Sequence, residues 1–388
     1  MGNEESTTRM QPMKVFDSFT YTPVSIDRGS KTSHYRIGQE LHDQSSPLLK
    51  TAYHGVWSMS FPDSICPTTR MGQCHVYDPE MDKLVIAYGV DPNGVCLNDV
   101  WSYSFLSNTW QCINKCATSP RQLASSALMG RKMVVFGGCF DHNLYSDLHF
   151  IDIDTGEVTF VNTEGPVPSP RTSPVVFVSS DNSIYIWSGY DGSPRGGIHV
   201  LHPSSLGWHR FERGHTGRVA AAFCQHNGRY FVFGSCKGHG LLEFDPSSGE
   251  FTNIECTGTE PARELTRSSL VSIDEYLFLI GGEADSQYMH IFAFDIQRKW
   301  WFAFHVRPDM KSMSLSDGSV NKIGLFMLPR EHSAAISYRP HQRELVSVLG
   351  SRLMNPPPVF RISMGPALSV LHMRSDMLDA FQFGMKKA

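Results

Sequence analysis

The sequence has no long hydrophobic run, no large excess of charge and no paired cysteine framework. No apolar stretch approaches the roughly 20 residues that a membrane-spanning helix needs. Charged residues make up 19% of the 388 residues and the formal net charge is −4. Bulk electrostatics therefore indicate neither a nucleic acid nor a membrane surface as the partner.

Signals for secretion are also missing. The first ten residues, MGNEESTTRM, are polar and contain no apolar signal-peptide segment. The nine cysteines are an odd number without regular spacing, and the sequence contains no Asn-x-Ser/Thr acceptor for glycosylation. We therefore expect a cytoplasmic protein in a reducing compartment.

Motifs of common enzyme classes are absent as well. The sequence has no Gly-x-Ser-x-Gly elbow, no phosphate-binding loop and no His-Glu-x-x-His. Cys112 and Cys116 form a close pair, but no second pair follows at zinc spacing. The 17 histidines are scattered. We therefore predict a protein without catalytic residues, cofactor or metal, and leave open a metal-dependent enzyme that uses residues of a central pore.

One stretch of about 50 residues shows what the chain does contain. Between Arg121 and Arg171, strands are predicted from Leu123 to Met129, at Met133-Val134-Val135-Phe136, from Asp147 to Asp152, and from Val158. Such a four-stranded antiparallel meander has two faces to bury and cannot be stable alone. The sequence therefore predicts further copies.

The copies recur with a period near 50, which is typical of propellers. An arginine opens each unit: Arg70, Arg121, Arg171, Arg218, Arg263 and Arg330. An apolar strand that ends at glycine follows: Leu84 to Gly89, Met133 to Gly138, Ile184 to Gly189, Tyr230 to Gly234, Leu277 to Gly282 and Leu345 to Gly350. A bulky aromatic residue marks the fourth strand: Trp110, Phe160, Trp208, Phe251 and Trp300 or Trp301.

The sixth unit lacks this aromatic residue after Phe360, and Trp57 supplies one upstream of Arg70 at a similar offset. We therefore predict that a strand near Trp57 completes the last sheet and closes the ring, so that no sheet edge stays open. The alternative is closure by Ala367 to Met373.

The pattern resembles the kelch family of β-propellers from about Tyr53 to Met373. Gly137-Gly138 and Gly281-Gly282 keep the family's double glycine, and we interpret Tyr88-Gly89, Ser188-Gly189, Gly234-Ser235 and Gly350-Ser351 as degenerate copies. The resemblance implies an all-β fold: a six-bladed propeller of four-stranded antiparallel blades, with seven blades as the alternative. For function it is a weak guide, because one fold serves many functions.

The predicted domains surround this propeller. Residues 1–14 are expected to be disordered, 15–52 to form an arm or partial blade, 53–373 the propeller with a long insertion at 303–329, and 374–388 a tail with a possible short helix. We expect the apolar end of the insertion, Ile323 to Leu328, to fold back on the propeller or to meet a partner. Gly2 fits the myristoylation pattern; we favour a chance match and keep a lipid anchor at Gly2 as a hypothesis.

The recurring arginines have two interpretations. They could form a cationic ring for an acidic ligand, or each could bond to carbonyl groups or a carboxylate between blades. Because the position repeats with the fold, we favour the structural role. Residues that differ between copies are better candidates for recognition.

Those differing residues follow the glycine-ended strands. In kelch relatives the corresponding face is a common partner surface, and these loops carry aromatic, Arg and His residues of the kinds enriched at protein interfaces. The predicted partner-binding residues are Asp91, Asn93, Phe140, Asp141, His142, Tyr190, Asp191, Arg195, Lys237, His239, Glu283, Asp285, Tyr288 and Arg352.

The sequence thus favours a non-catalytic scaffold or adaptor subunit that binds another protein through the loops of one propeller face. A cytoskeleton-binding kelch protein is the alternative. The partner is not identified, and cytoskeletal and ubiquitin-ligase-related proteins both stay open.

Overall fold

The structure is a computed structural model that describes residues 54–211, 215–283, 291–308, 328, 330–351 and 356–364. Every regular element in these ranges is a β-strand. The strands form six blades around a central axis. This confirms the predicted all-β fold with six blades, and the seven-blade alternative is wrong.

The strands of each blade are given in chain order, which runs from the innermost strand of the blade to the outermost. Blade 1 contains β2 (Cys74–Asp78), β3 (Lys83–Ala87), β4 (Val100–Ser104) and β5 (Thr109–Asn114). Blade 2 contains β6 (Ser125–Met129), β7 (Lys132–Phe136), β10 (Leu148–Asp152) and β11 (Val158–Phe160), with a small hairpin of β8 (Cys139–Phe140) and β9 (Asn143–Leu144). Blade 3 contains β12 (Val175–Val178), β13 (Ile184–Trp187), β14 (Ile198–Leu201) and β15 (Trp208–Phe211).

The remaining strands complete the ring. Blade 4 contains β16 (Ala222–His226), β17 (Arg229–Phe233), β18 (Leu242–Asp245) and β19 (Glu250–Asn253). Blade 5 contains β21 (Ser268–Ile273), β22 (Tyr276–Gly281), β23 (Ile291–Asp295) and β24 (Trp300–Pro308), joined by the short β20 (Thr257–Gly258). Blade 6 contains β25 (Ala335–Arg339), β26 (Glu344–Val348) and β27 (Val359–Ser363), and its fourth strand is β1 (His54–Ser60).

The core lies between blades. Successive side chains of a strand point to opposite faces of the sheet, so a fully apolar second strand serves two boundaries. In β7, Met133 and Val135 pack against blade 1, whereas Val134 and Phe136 pack against blade 3. The described residues form six such clusters, one at each boundary.

One kind of backbone hydrogen bond recurs at every blade boundary. The second strand of each blade leads into two turn residues. The N–H of the second turn residue donates to a backbone carbonyl just before the first strand of the next blade. The pairs are Gly89 to Arg121 (2.9 Å), Gly138 to Arg171 (2.9 Å), Gly189 to Arg218 (3.1 Å), Ser235 to Arg263 (3.3 Å), Gly282 to Glu331 (3.0 Å) and Gly350 to Arg70 (3.1 Å). The six bonds form a closed ring.

The double glycine has a geometric reason. In blade 2, Gly137 and Gly138 both have positive φ, 76° and 93°, a region that side chains make costly. A Cβ on Gly138 would lie 2.8 Å from the carbonyl oxygen of Gln122. In blade 6 the positive-φ pair is Leu349-Gly350. The predicted copy Gly350-Ser351 is therefore wrong by one residue.

Four of the six predicted arginines have the structural role that we favoured. Arg70, Arg121, Arg171 and Arg218 are buried. Each donates from Nη1 to a carbonyl oxygen in its own blade, at distances of 2.7–3.2 Å. Because each also accepts the cross-boundary bond on its own carbonyl, it joins two blades.

The other two arginines do not follow this pattern. Arg263 is half exposed and pairs with Glu260 at 2.8 Å, and Arg330 donates to Gly282 of the preceding blade at 2.9 Å. A residue with positive φ precedes each innermost strand, and the buried arginine of blades 1 to 4 lies two positions before it. In blades 5 and 6 the residues at this position are Leu265 and Glu331. By this criterion Arg263 and Arg330 are out of register by two residues and by one. The carbonyl of Arg263 nevertheless accepts the ring bond from Ser235 at 3.3 Å, so in blade 5 the backbone position is kept and the buried side chain is not.

β1 closes the ring, as predicted. It pairs antiparallel with β27, and buried Trp57 lies opposite Ile362. β1 also pairs in parallel with the end of β24, where Gly55 is opposite Val306. The second pairing, which the sequence did not predict, joins blades 5 and 6 into one nine-stranded sheet.

Several predictions fall wholly or largely outside the described residues: the disordered start, the arm, Gly2, the tail helix and most of the insertion. Two ends of the insertion are described. Residues up to Pro308 continue β24, and Leu328 is buried in the core between blades 5 and 6.

The geometry at Gly138 gives a first prediction. Gly138→Ala should lower the free energy of unfolding by about 2 kcal/mol or more, because the added Cβ meets a backbone carbonyl at a positive φ. The matched control is Gly94→Ala, since Gly94 has a φ of 84° and nothing within 4 Å of its Cβ position. The control should cost about 1 kcal/mol. Equal losses in urea unfolding would contradict the proposed role of the close approach.

Candidate protein-interaction face

One end of the propeller carries the loops that the sequence singled out. The innermost strands run in the same direction around the axis, so connections from second to third strands and from one blade to the next share one face. We call this surface the loop face. At its centre, a cavity of about 300 Å³ lies among the starts of the six innermost strands.

The cavity wall consists mainly of small side chains. Gly72, Ser126, Ser173 and Ala222 are examples from four blades. Gln73 also lines the cavity, donates from Nε2 to the carbonyl of Ser333 at 2.9 Å, and leaves its buried Oε1 without a partner. The wall thus mixes small polar and apolar side chains and, apart from Arg267, carries little charge.

In blades 1 and 2 the predicted residues divide into supporting and accessible ones. Asp91 accepts the backbone N–H groups of Asn93 and Val95 at 2.9 and 2.8 Å, so its carboxylate shapes its own loop. Asn93 is exposed. Phe140 is 41% exposed on the small hairpin, whose turn residues Asp141 and His142 are also exposed.

The loop of blade 3 contains an ion pair. Arg195 Nε donates to Asp191 Oδ1 at 2.6 Å, and Ser169 Oγ donates to Asp191 Oδ2 at 2.8 Å. Tyr190 is 43% exposed and forms β-bridges with Thr172 and Pro194. Asp191 therefore supports the loop, whereas Tyr190 and Arg195 are available to a partner.

The loops of blades 4 and 5 are described in part. Lys237 is exposed, and His239 is half-buried with no partner for its Nε2. Glu283 accepts from Arg267 Nη1 at 2.7 Å. The other predicted residues, Asp285, Tyr288 and Arg352, lie outside the described residues.

A buried polar network lies at the boundary of blades 1 and 2. Asp147 accepts from Arg121 Nη1 at 2.8 Å and lies 3.1 Å from His149 Nδ1. His149 Nε2 is 2.7 Å from the hydroxyl of Tyr88, which in turn lies 3.0 Å from that of Thr118. No sequence pattern indicated this network, because its members come from two repeats.

The charges of this network follow from its surroundings. Burial opposes ionisation of Asp147, but the bonds from His149 and Arg121 outweigh it and hold the pKa of this carboxyl well below its usual range. Burial lowers the pKa of His149. The network is thus a carboxylate, a guanidinium and a neutral imidazole. Tyr88 and His149 are buried and the Asp147 side chain is partly exposed; we interpret the network as structural.

The boundary of blades 2 and 3 repeats the histidine and the arginine without the other partners. His199 corresponds to His149 and Arg171 to Arg121, but Gly197 replaces the aspartate. Sequence reasoning missed His199 and Gly197, as well as Arg210 beside them. Alignment of the third strands of the blades could have revealed the lost carboxylate.

Two searches of the described residues gave negative results. No group of three or more His, Cys, Asp or Glu side chains in these residues could hold a metal ion. In the same part of the chain, no helix has the length and apolar character to cross a membrane.

Comparisons with known proteins agree with this architecture. The family model described as the KLHDC2/KLHL20/DRC7 Kelch-repeats domain matches residues 43–235. Kelch domain-containing protein 2 of Bos taurus is 27% identical over 129 residues, which cover 32% of this chain and 32% of the relative. Host cell factor 1 of Homo sapiens is 28% identical over 159 residues, 35% of this chain and 8% of the relative.

Another relative is acyl-CoA-binding domain-containing protein 4 of Arabidopsis thaliana, which is 27% identical over 178 residues. These residues are 44% of this chain and 26% of the relative. Matches to the curated relatives thus span a third of their length or less.

The six blades and their ring of backbone bonds define a closed β-propeller. Its glycine turns and the family match over residues 43–235 confirm the predicted resemblance to kelch-repeat propellers.

Buried neutral histidines predict an acid-sensitive fold. Burial, Arg171 and Arg210 lower the pKa of His199 to about 4. Between pH 6.5 and about 4 the unfolded chain binds this proton and the folded chain does not, so stability is present above pH 6.5 and falls as the pH decreases.

His199→Gln should therefore reduce the pH dependence of the unfolding free energy between pH 6.5 and 4 by up to about 1.4 kcal/mol per pH unit. His142→Gln is the control, because that side chain is 98% exposed. Urea unfolding at several pH values measures the slope. An unchanged slope for His199→Gln would contradict burial of the neutral imidazole.

Proposed function

We propose that this propeller is a non-catalytic binding subunit that holds a partner protein on its loop face and acts as a scaffold or adaptor. Kelch-repeat propellers, including the relatives above, are in general protein-interaction domains, and this coarser role is common to them. The assignment to one face rests on the geometry of this chain.

The observation that carries the proposal is the contrast between the ring and the loops. Backbone bonds and buried arginines occupy the repeated positions. The side chains that differ between blades are exposed beside them: Asn93, Phe140, His142, Tyr190, Arg195 and Lys237. Aromatic, Arg and His side chains at the edge of a rigid support suit a protein interface.

The chemistry of the described residues supports a binding role. In the titratable network, Tyr88 and His149 are buried and the Asp147 carboxylate is engaged by Arg121 and His149. The cavity wall carries little charge. All nine cysteines are described and free, which supports our proposal of a cytoplasmic location.

The proposal predicts separable effects on binding and stability. The combined variant Phe140→Ser, His142→Ser and Tyr190→Ser should reduce labelling of the specific partner at least tenfold in a proximity-labelling experiment in the native cell. Each side chain is substantially exposed, so the midpoint of thermal unfolding should change little.

The matched control lies on the opposite face. Met81→Ser and Leu106→Ser replace apolar side chains that are 63% and 93% exposed on turns at the other end of blade 1. This variant should keep the partner. Loss of labelling with the control and its retention with the loop variant would place the interface on the opposite face and overturn the proposal.

A further inference from the structure

Two successive blade boundaries place a histidine and an arginine in equivalent positions. His149 lies opposite Val135 in blade 2, and His199 lies opposite Ile186 in blade 3. Each histidine is the second residue of a third strand and faces the preceding blade. Arg121 and Arg171, the buried arginines of the same blades, are the corresponding cations.

A carboxylate joins the two groups at the first boundary only. Asp147 lies two residues before His149, accepts from Arg121 at 2.8 Å and contacts His149 Nδ1 at 3.1 Å. Gly197 lies two residues before His199. The second boundary therefore has the cation and the imidazole without the anion.

The unoccupied positions are visible in the hydrogen bonds. His199 is 7% exposed, and its buried Nδ1 has no partner. Nδ1 is the atom through which His149 contacts Asp147. Arg171 is 2% exposed and donates to neutral acceptors, namely the carbonyl groups of Ser169 and Ser188 and the hydroxyl of Ser169. A buried polar atom without a partner is costly.

A second guanidinium lies at the same place. A Cβ on Gly197 would be 3.2 Å from Arg210 Nε and 3.5 Å from Nη2. Arg210 is exposed on β15. The neighbouring carboxylate, Asp191, is bonded to Arg195 and Ser169. Burial, Arg195 and Arg210 together outweigh Asp191 and lower the pKa of Arg171 to about 10, so this arginine stays cationic at neutral pH.

We propose that Arg171, His199 and Arg210 form a binding site at Gly197 for a carboxylate group, supplied by an acidic side chain of the partner protein. We call it the Gly197 site. The ligand takes the role that Asp147 has at the preceding boundary: it accepts from both guanidinium groups and from His199 Nδ1–H. Arg210 forms the outer wall, and its flexible end moves to admit the ligand. Charge-assisted bonds of this kind are among the stronger ones in proteins.

That a partner protein carries the carboxylate rests on the proposed function. The affinity of the Gly197 site for a carboxylate does not. The first experiment therefore uses sodium acetate as the probe, with sodium chloride at the same ionic strength as the reference. Acetate should raise the thermal midpoint of the wild type above its value in chloride, because it binds the folded state. It should also raise the pKa of His199, measured by NMR of the imidazole, because a carboxylate favours the imidazolium form.

The decisive variant is Gly197→Asp, which supplies the carboxylate from within the chain. No left-handed φ is present at Gly197, and the nearest group is the mobile end of Arg210. The variant should unfold several degrees higher than the wild type in chloride and should lose the response to acetate. Gly240→Asp is the matched control in blade 4. There the Cβ would be 3.3 Å from Glu260 Oε1 and 3.5 Å from Arg263 Cζ. Because this guanidinium is already paired with Glu260, we expect no gain in stability, and the acetate response should persist.

A pair of peptides with both ends capped then tests the carrier. The peptide with a central Asp should displace acetate from His199 at a concentration at least tenfold lower than the same peptide with Asn. Equal responses to acetate and chloride in the wild type, or an undiminished acetate response in Gly197→Asp, would overturn the Gly197 site. Binding of acetate without any preference for the Asp peptide would overturn the acidic carrier alone.

Discussion

The architecture depends on a backbone hydrogen bond that recurs at every blade boundary. The donor follows the second strand of one blade, and the acceptor is the carbonyl at the start of the next. To aim this N–H sideways the chain must turn through positive φ, as at Gly137 and Gly138. The apolar clusters supply most of the burial, but they are non-directional. The hydrogen bond sets the register at which neighbouring sheets meet.

Comparison of the blades separates what the ring requires from what it tolerates. Leu265 and Glu331 replace the buried arginine in blades 5 and 6, and the carbonyl of Glu331 still accepts the bond from Gly282. Ser235 replaces the second glycine in blade 4 and still donates to Arg263. The backbone pairing is thus the constant, whereas the arginine side chain is one of several ways to fill the position beside it.

Much of this fold could be predicted from the sequence, because period-two apolar strands and glycine turns are local signals. The six second strands and the closing strand around Trp57 were predicted on this basis. The errors at Arg263, Arg330 and Gly350-Ser351 share one cause: residue identity was used to mark a position that the backbone defines. The parallel pairing of Gly55 with Val306 was missed for another reason. It joins segments about 250 residues apart, and the residues after Trp301 looked like an insertion.

The interaction face was harder to predict, and the reason lies in the repeat itself. Sequence reasoning found the exposed loop residues Phe140 and Tyr190, because they interrupt the pattern. It could not find His199, which looks like an ordinary strand residue until the blades are superposed. A repeat protein carries its own internal reference. Asp99 and Asp147 bond to the buried arginines of blades 1 and 2, so the glycine at the equivalent position of blade 3 defines the chemistry of the group that is missing there. At Gly197 the missing group is a carboxylate. The boundary of blades 2 and 3 would therefore both stabilise the ring and bind the partner.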